Sequence, residues 1–118
     1  MSQAIQRLSS SLPFPFSRAV KAGGFLFLSG QVPMNAAGEV VRGDIQTQTR
    51  AACERIVESL AAAGARLDQV VKATVWLSDM SHFAGFNEVY KECFGAALPV
   101  RSTVASALAL NVDVEIEV

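Results

Sequence analysis

The chain has 118 residues, 51% hydrophobic and 18% charged, with a formal net charge of −1. That length allows one domain with a single core, residues 1–118, and excludes two; the composition excludes a disordered chain. Interleaved acids and bases near neutrality leave no footprint for nucleic acid or an anionic membrane, and the apolar excess over what one small core can hide points to an oligomer.

Met1 to Gln6 lacks the basic end and apolar centre of a secretory signal, and no apolar run reaches bilayer-spanning length, so a cytoplasmic protein is expected. Ala4 to Leu8 alternates weakly, as in a short edge strand. The prolines at Pro13 and Pro15 then force an irregular path that holds Phe14 and Phe16 out, either as core plugs or as the wall of a pocket. Ser17 to Lys21 and Phe25 to Ser29 read as a hairpin joined at Ala22-Gly23-Gly24, in which the glycine pair supplies the positive φ of a tight turn. The second of these runs is apolar throughout, as in a strand covered on both faces. Gly30 leaves room for a close backbone approach, and Asn35 to Gly38 is a turn with Gly38 at positive φ.

Asp44 caps a helix that runs to Gly64, with Ile45, Thr49, Ala52, Cys53, Ile56, Val57, Leu60 and Ala63 on its buried stripe. Gln46, Gln48, Arg50, Glu54, Arg55 and Glu58 form its solvated side. Val70 to Leu77, rich in β-branched residues, is the clearest central strand; the helical crossover before it makes it parallel to a strand already in the sheet. A second helix spans Phe83 to Phe94, with Phe83, Phe86, Val89, Tyr90, Cys93 and Phe94 on one side. His82 precedes it as a turn residue; one histidine alone gives no basis for a metal site. Asn87, polar in mid-helix, is a solvent residue or a donor that orients a neighbour. Cys53 and Cys93 have no metal or redox spacing and read as small buried apolar residues.

Pro99 stops the second helix, and the strand after it puts Arg101, Thr103 and Ala105 on one face. A guanidinium fixed on a strand matches the two oxygens of a carboxylate; the alternative is an ordinary surface or salt-bridged arginine. Val112 to Val118 alternates strictly, with Asp113, Glu115 and Glu117 on the polar face. If that face looks across to Arg101, one of them is a candidate proton acceptor; otherwise the strand is an acidic edge that resists aggregation. The alternation is still running at Val118, and the strand is expected to continue in a longer chain. The elements give an α+β sandwich, two helices on one face of a mixed sheet and the other face bare, which calls for self-association with sites between subunits.

Seven ordered blocks carry a resemblance over essentially the whole chain: Pro15-Phe16-Ser17-Arg18-Ala19-Val20, Phe27-Leu28-Ser29-Gly30-Gln31-Val32-Pro33, Gly43-Asp44-Ile45 with Gln48-Thr49-Arg50, Val71-Lys72-Ala73-Thr74-Val75-Trp76-Leu77, Phe83 with Asn87-Glu88-Val89-Tyr90, Pro99-Val100-Arg101-Ser102, and Val114-Glu115-Ile116-Glu117. The chain resembles the Rid, or YjgF-like, reactive-intermediate deaminases. The resemblance implies a chorismate-mutase-like fold, a homotrimer with clefts between subunits, and hydrolysis of enamines and imines such as 2-aminoacrylate to 2-oxo acids and ammonia without a cofactor. It implies that Arg101 binds the substrate carboxylate, that Glu115 positions water, and that Asn87, Ser29 and Gly30 line the cleft. Phe16 stands where deaminating members place a tyrosine, Thr103 replaces a cysteine whose backbone helps hold substrate, Ala105 replaces a glutamate, and the loop between Arg101 and Glu115 is one residue short. Beside the deaminase stand a non-catalytic module that binds a small carboxylate, a pathway-specific Rid-like enzyme, and an interaction or translation-linked role.

Overall fold

A computed structural model describes residues 4–118; the expectation about Met1, Ser2 and Gln3 lies outside the described residues. Six strands and two long helices follow in the order β1 (Gln6–Ser9), β2 (Ser17–Ala22), β3 (Phe25–Leu28), α1 (Ile45–Ala62), β4 (Lys72–Leu77), α2 (Phe83–Phe94), β5 (Val100–Ala105) and β6 (Val114–Glu117). The β2–β3 hairpin turns on Gly23 and Gly24, at φ 59° and 80°; Ala22, expected in the connection, instead ends β2 and pairs with Phe25.

Strands β1, β2 and β3 pair antiparallel, while β4 pairs parallel with β5 and antiparallel with β6. The chain leaving β3 joins these two ladders: the Gln31 N–H donates to the Ile116 carbonyl at 2.7 Å, the Ile116 N–H donates back at 3.0 Å, and the Leu28 N–H donates to the Val118 carbonyl at 3.0 Å. The result is one mixed sheet in the order β1-β2-β3-β6-β4-β5. Strand β4 therefore runs parallel to β3 with β6 between them, as the crossover requires.

Both helices lie on one face. Ala73, Val75 and Leu77 of β4 and Val114 and Ile116 of β6 meet Ala52, Ile56 and Leu60 of α1 and Phe86, Tyr90 and Phe94 of α2 in a single core. Asp44 caps α1 as expected, its carboxylate accepting from the Thr47 N–H at 2.8 Å. Two residues of that helix depart from the pattern. Val57, placed on the buried stripe, is exposed, and Gln48, placed on the solvated side, is only 3% exposed. Gln48 is inside because Asp113 needs it: Nε2 donates to Asp113 Oδ2 and the Asp113 N–H donates to Gln48 Oε1, both at 2.9 Å.

The opposite sheet face is open in the single chain. Phe25 and Phe27, expected to be covered on both sides, point out of β3 and are 63% and 57% exposed. Leu28 from the same strand is buried, so the continuous apolar run encodes one face for the core and one for a surface.

Candidate active site

Arg101 and Thr103 come from the edge strand β5, and the parallel register sets Arg101 beside Ala73 and Thr103 beside Val75. Both core partners face the helices, so the arginine lies on the helix side of the sheet. Its guanidinium carbon is 4.9 Å from the ring centre of Tyr90, 5.4 Å from Phe86 and 5.6 Å from Phe83. Phe83, expected inside, is exposed enough to serve as the outer wall of this cradle. Three aromatic faces fix the cation by its quadrupole attraction and leave its N–H fork free. Among the described residues, no carboxylate lies within ion-pair distance of Arg101, which removes the salt-bridge alternative within the chain.

Among the described residues, three buried polar atoms on the helix and strand that hold this arginine have no hydrogen-bond partner: Asn87 Oδ1 and Tyr90 Oη of α2 and Thr103 Oγ1 of β5. Buried polar atoms are nearly always paired, so three together mark a place built to receive something. Burial pushes the Tyr90 phenol up to about 12 against the opposing charge of Arg101, which keeps it a neutral donor.

The remaining candidates gather elsewhere. Phe16, Ser29, Gly30 and Glu115 line a cavity of about 450 Å³, with Phe14 and Leu110 as further apolar walls. The Phe14 and Phe16 rings stack at 6.1 Å, so the two prolines make them pocket wall, not core plugs. The Ser29 hydroxyl donates to the Ser17 carbonyl at 2.6 Å, which pins the bend after β3. Gly30 is required because the Glu115 carboxylate lies where a Cβ would be. Burial first, and then the charge of Glu117, hold the Glu115 carboxyl above its ordinary value. A larger cavity, about 670 Å³, opens between β3 and β4 near Val118, but it gathers none of these groups.

The register separates Glu115 from Arg101. Glu115 pairs with Trp76 on β4, so it emerges on the open face, and the condition that its face look across to Arg101 fails within one chain. Asp113 is also withdrawn from the site. Its carboxylate accepts from Ser78 Oγ at 2.6 Å and from Gln48, with His82 Nε2 at 3.8 Å. The Ser78 hydroxyl is the main cause that holds its carboxyl below the ordinary value.

The Endoribonuclease L-PSP family model matches residues 6–118. The chain belongs to the YjgF/Rid family. It is 50% identical to a RutC family protein of Pyrococcus horikoshii over 105 residues, 87% of this chain and 83% of that protein. The yeast Mmf1 crystal structure superposes with a TM-score of 0.89 at 36% identity, covering 97% of this chain and 95% of that one. The Rid-family protein YyfA of Yersinia pestis superposes at 0.88 with 34% identity, covering 97% and 96%. The YjgF/Rid fold, two helices packed on a mixed sheet, is thus shared along nearly the full chain.

The sequence signalled the arginine, the glycine and the acid of this YjgF/Rid chain and offered Phe14 and Phe16 as a wall, but not Leu110 or Tyr90. Leu110, at φ 62°, has no glycine-like cue, and its loop is held by Arg42, which donates to the carbonyls of Leu110 at 3.0 Å and Asn111 at 2.8 Å. Tyr90 read as core; only its unpartnered hydroxyl reveals the second role.

Proposed function

We propose that the chain is a hydrolytic deaminase that converts 2-imino acids and their enamines, of the 2-aminoacrylate type, to 2-oxo acids and ammonia. The observation that carries this reading is the Arg101 fork in its aromatic cradle, without a carboxylate partner among the described residues, with unpartnered Asn87, Tyr90 and Thr103 atoms on the same helix and strand. Arg101 grips the substrate carboxylate with two parallel N–H···O bonds, with Asn87 and the Thr103 backbone beside it. A water held by Glu115 adds its oxygen to the imine carbon while its proton passes to the carboxylate. The same group returns that proton to nitrogen to give a carbinolamine, then takes the carbinolamine hydroxyl proton as the C=O bond forms and delivers it to nitrogen as the C–N bond breaks, so that ammonia leaves. A carboxyl with raised proton affinity suits both steps. Phe16, Ser29 and Gly30 line the water side.

Because these two halves occupy opposite faces of one chain, the complete site forms between copies in a homotrimer, which also covers Phe25 and Phe27. The reading uses neither a cofactor nor a metal, and no nucleic acid or membrane partner. Near-neutral interleaved charge supports a small-molecule substrate over RNA, and no helix of the described residues is long and apolar enough to cross a membrane. Free Cys53 and Cys93 suit a cytoplasmic place.

The test generates imines in situ with an amino-acid oxidase and times the appearance of 2-oxo acid. Faster appearance than in buffer supports the reading; no acceleration across a panel of amino acids defeats it. Phe16, with no hydroxyl in the cavity, favours a second reading, a non-catalytic module for small carboxylates. Calorimetric binding of 2-oxo acids without turnover selects that module.

A further inference from the structure

Helices α1 and α2 lie side by side and run in the same direction. A Cβ at Gly85 would meet Ile45 Cγ2 at 2.8 Å, so the backbones approach closely at their starts. Farther along, Gln46 Nε2 donates to Glu88 Oε2 at 2.6 Å and Arg50 pairs with Glu92 at 3.6 Å. The same register brings Cys53 of α1 opposite Cys93 of α2, and both line one shallow groove between the helices. Cys53 is buried, while Cys93 is half-buried and opens on a shallow groove with Glu54, Val57, Glu58 and Leu67. Among the described residues no third metal-type ligand joins them. The imine chemistry has no use for this pair.

We propose that Cys53 and Cys93 are a reversible, hydroperoxide-sensitive dithiol that closes to a disulfide tying α1 to α2. Cys93 reacts first because it faces solvent. The neighbouring Cys53 also holds Cys93 below the usual thiol range, whereas Cys93 and burial push Cys53 up. The Cys93 thiolate attacks one peroxide oxygen; an S–O bond forms, the O–O bond breaks, and the departing oxygen takes a proton to leave as alcohol or water. Cys93 is now a sulfenic acid. The Cys53 sulfur attacks it, the S–S bond forms, the S–O bond breaks, and hydroxide leaves with the Cys53 proton as water. Two thiols lose two electrons in all and the peroxide gains them. Tyr90, one wall of the Arg101 cradle, precedes Cys93 by about one turn on α2, so closing the disulfide pulls on the turn of α2 that holds Arg101.

The test treats the full-length protein with hydrogen peroxide and reads intact mass and non-reducing peptide maps. The expected result is a monomeric chain lighter by two hydrogens, with the Cys53 and Cys93 peptides joined, a raised Tm, and full reversal by dithiothreitol. Cys53→Ser should leave a Cys93 sulfenic acid that a dimedone probe captures, and Cys93→Ser should leave Cys53 unreacted. Chains cross-linked through Cys93, a Cys93 sulfinic acid beside a free Cys53 in the wild type, or two unmodified thiols overturn the proposal. The wild-type map decides it even if a variant fails to fold.

Discussion

Arg101 and Glu115 lie on opposite faces of the same sheet. Both are referred to the shared strand β4, Arg101 beside Ala73 and Glu115 beside Trp76, and an odd separation along a strand reverses the face. No rotamer carries either side chain through a hydrogen-bonded ladder. If one reaction uses both groups, a second copy of the chain must supply one of them.

Mixing two dead variants tests that geometry. Arg101→Ala and Glu115→Gln trimers should each be nearly inactive, and co-refolding equal amounts should restore imine hydrolysis. Random assortment gives about a quarter of the sites an intact arginine from one copy and an intact acid from its neighbour. Recovery near that level is the expected outcome. No recovery, with mixed trimers shown to form, means that the two groups do not share a site.

Gly30→Ala separates activity from stability. The new Cβ collides with the Glu115 carboxylate, the far end of a flexible side chain that can swing aside, and Gly30 is not at positive φ. The fold should keep its Tm within a few degrees. Displacing the acid by about an ångström should cost roughly tenfold to a hundredfold in kcat. An unfolded variant, or one with full turnover, contradicts the role given to this close approach.

Much of this was legible in the sequence, and the part that was not has a physical reason. Periodicity located both helices and β4, Asp44 and the glycine pair marked a cap and a turn, and the family motifs singled out Arg101 and Glu115. Alternation along one strand says which residues share a face, but the relation between faces of different strands depends on register, which no single run contains. The same gap misplaced Gln48, whose burial is set by Asp113, 65 residues away. The both-faced burial expected of β3 fails in one chain because a strand with one exposed apolar face and a strand buried on both faces have the same apolar pattern.

The pH dependence follows from two carboxyls shifted in opposite directions. Glu115 must be ionised to accept a proton, so kcat/KM should rise through a value above the 4.5 of an ordinary glutamate. Glu117→Gln removes the lesser cause and should move that limb down, though not fully, because burial remains. A raised folded value also means that Glu115 favours the fold at low pH, and that this contribution is lost as pH rises through it. Asp113 acts in reverse: its contribution is present above 3.8 and is lost as pH falls through the lowered folded value. Asp113→Asn should therefore flatten the acid side of a Tm against pH curve. A curve of unchanged shape counts against the Ser78 and Gln48 contacts as its cause.

Assembly should depend on the open face. Covering a phenylalanine contributes about 1.5–3 kcal/mol, so Phe25 and Phe27 together make a charged substitution there costly. Phe27→Asp should sediment as a folded monomer where the parent chain sediments as a trimer. A parent chain that is monomeric at micromolar concentration overturns the inter-subunit site along with the assembly.

Arg101 itself gives the sharpest division between a binding group and a structural one. With no carboxylate within ion-pair distance among the described residues, its loss breaks no salt bridge; it removes stacking on Phe83, Phe86 and Tyr90, which is about 1 kcal/mol for a half-buried cation–π cradle. Arg101→Ala should then fold with a modest fall in Tm while transition-state binding drops by roughly 2–4 kcal/mol, about 30-fold to 1000-fold in rate, as expected for a charge-assisted bidentate contact. Arg101→Lys should rescue little, because an ammonium keeps the charge but not the fork that matches two carboxylate oxygens. A structural arginine predicts the reverse, with a large fall in Tm, activity that follows stability, and lysine as a fair substitute. Measuring Tm and imine hydrolysis on the same two variants distinguishes them, and full turnover in a well-folded Arg101→Ala trimer rules out carboxylate capture by this residue.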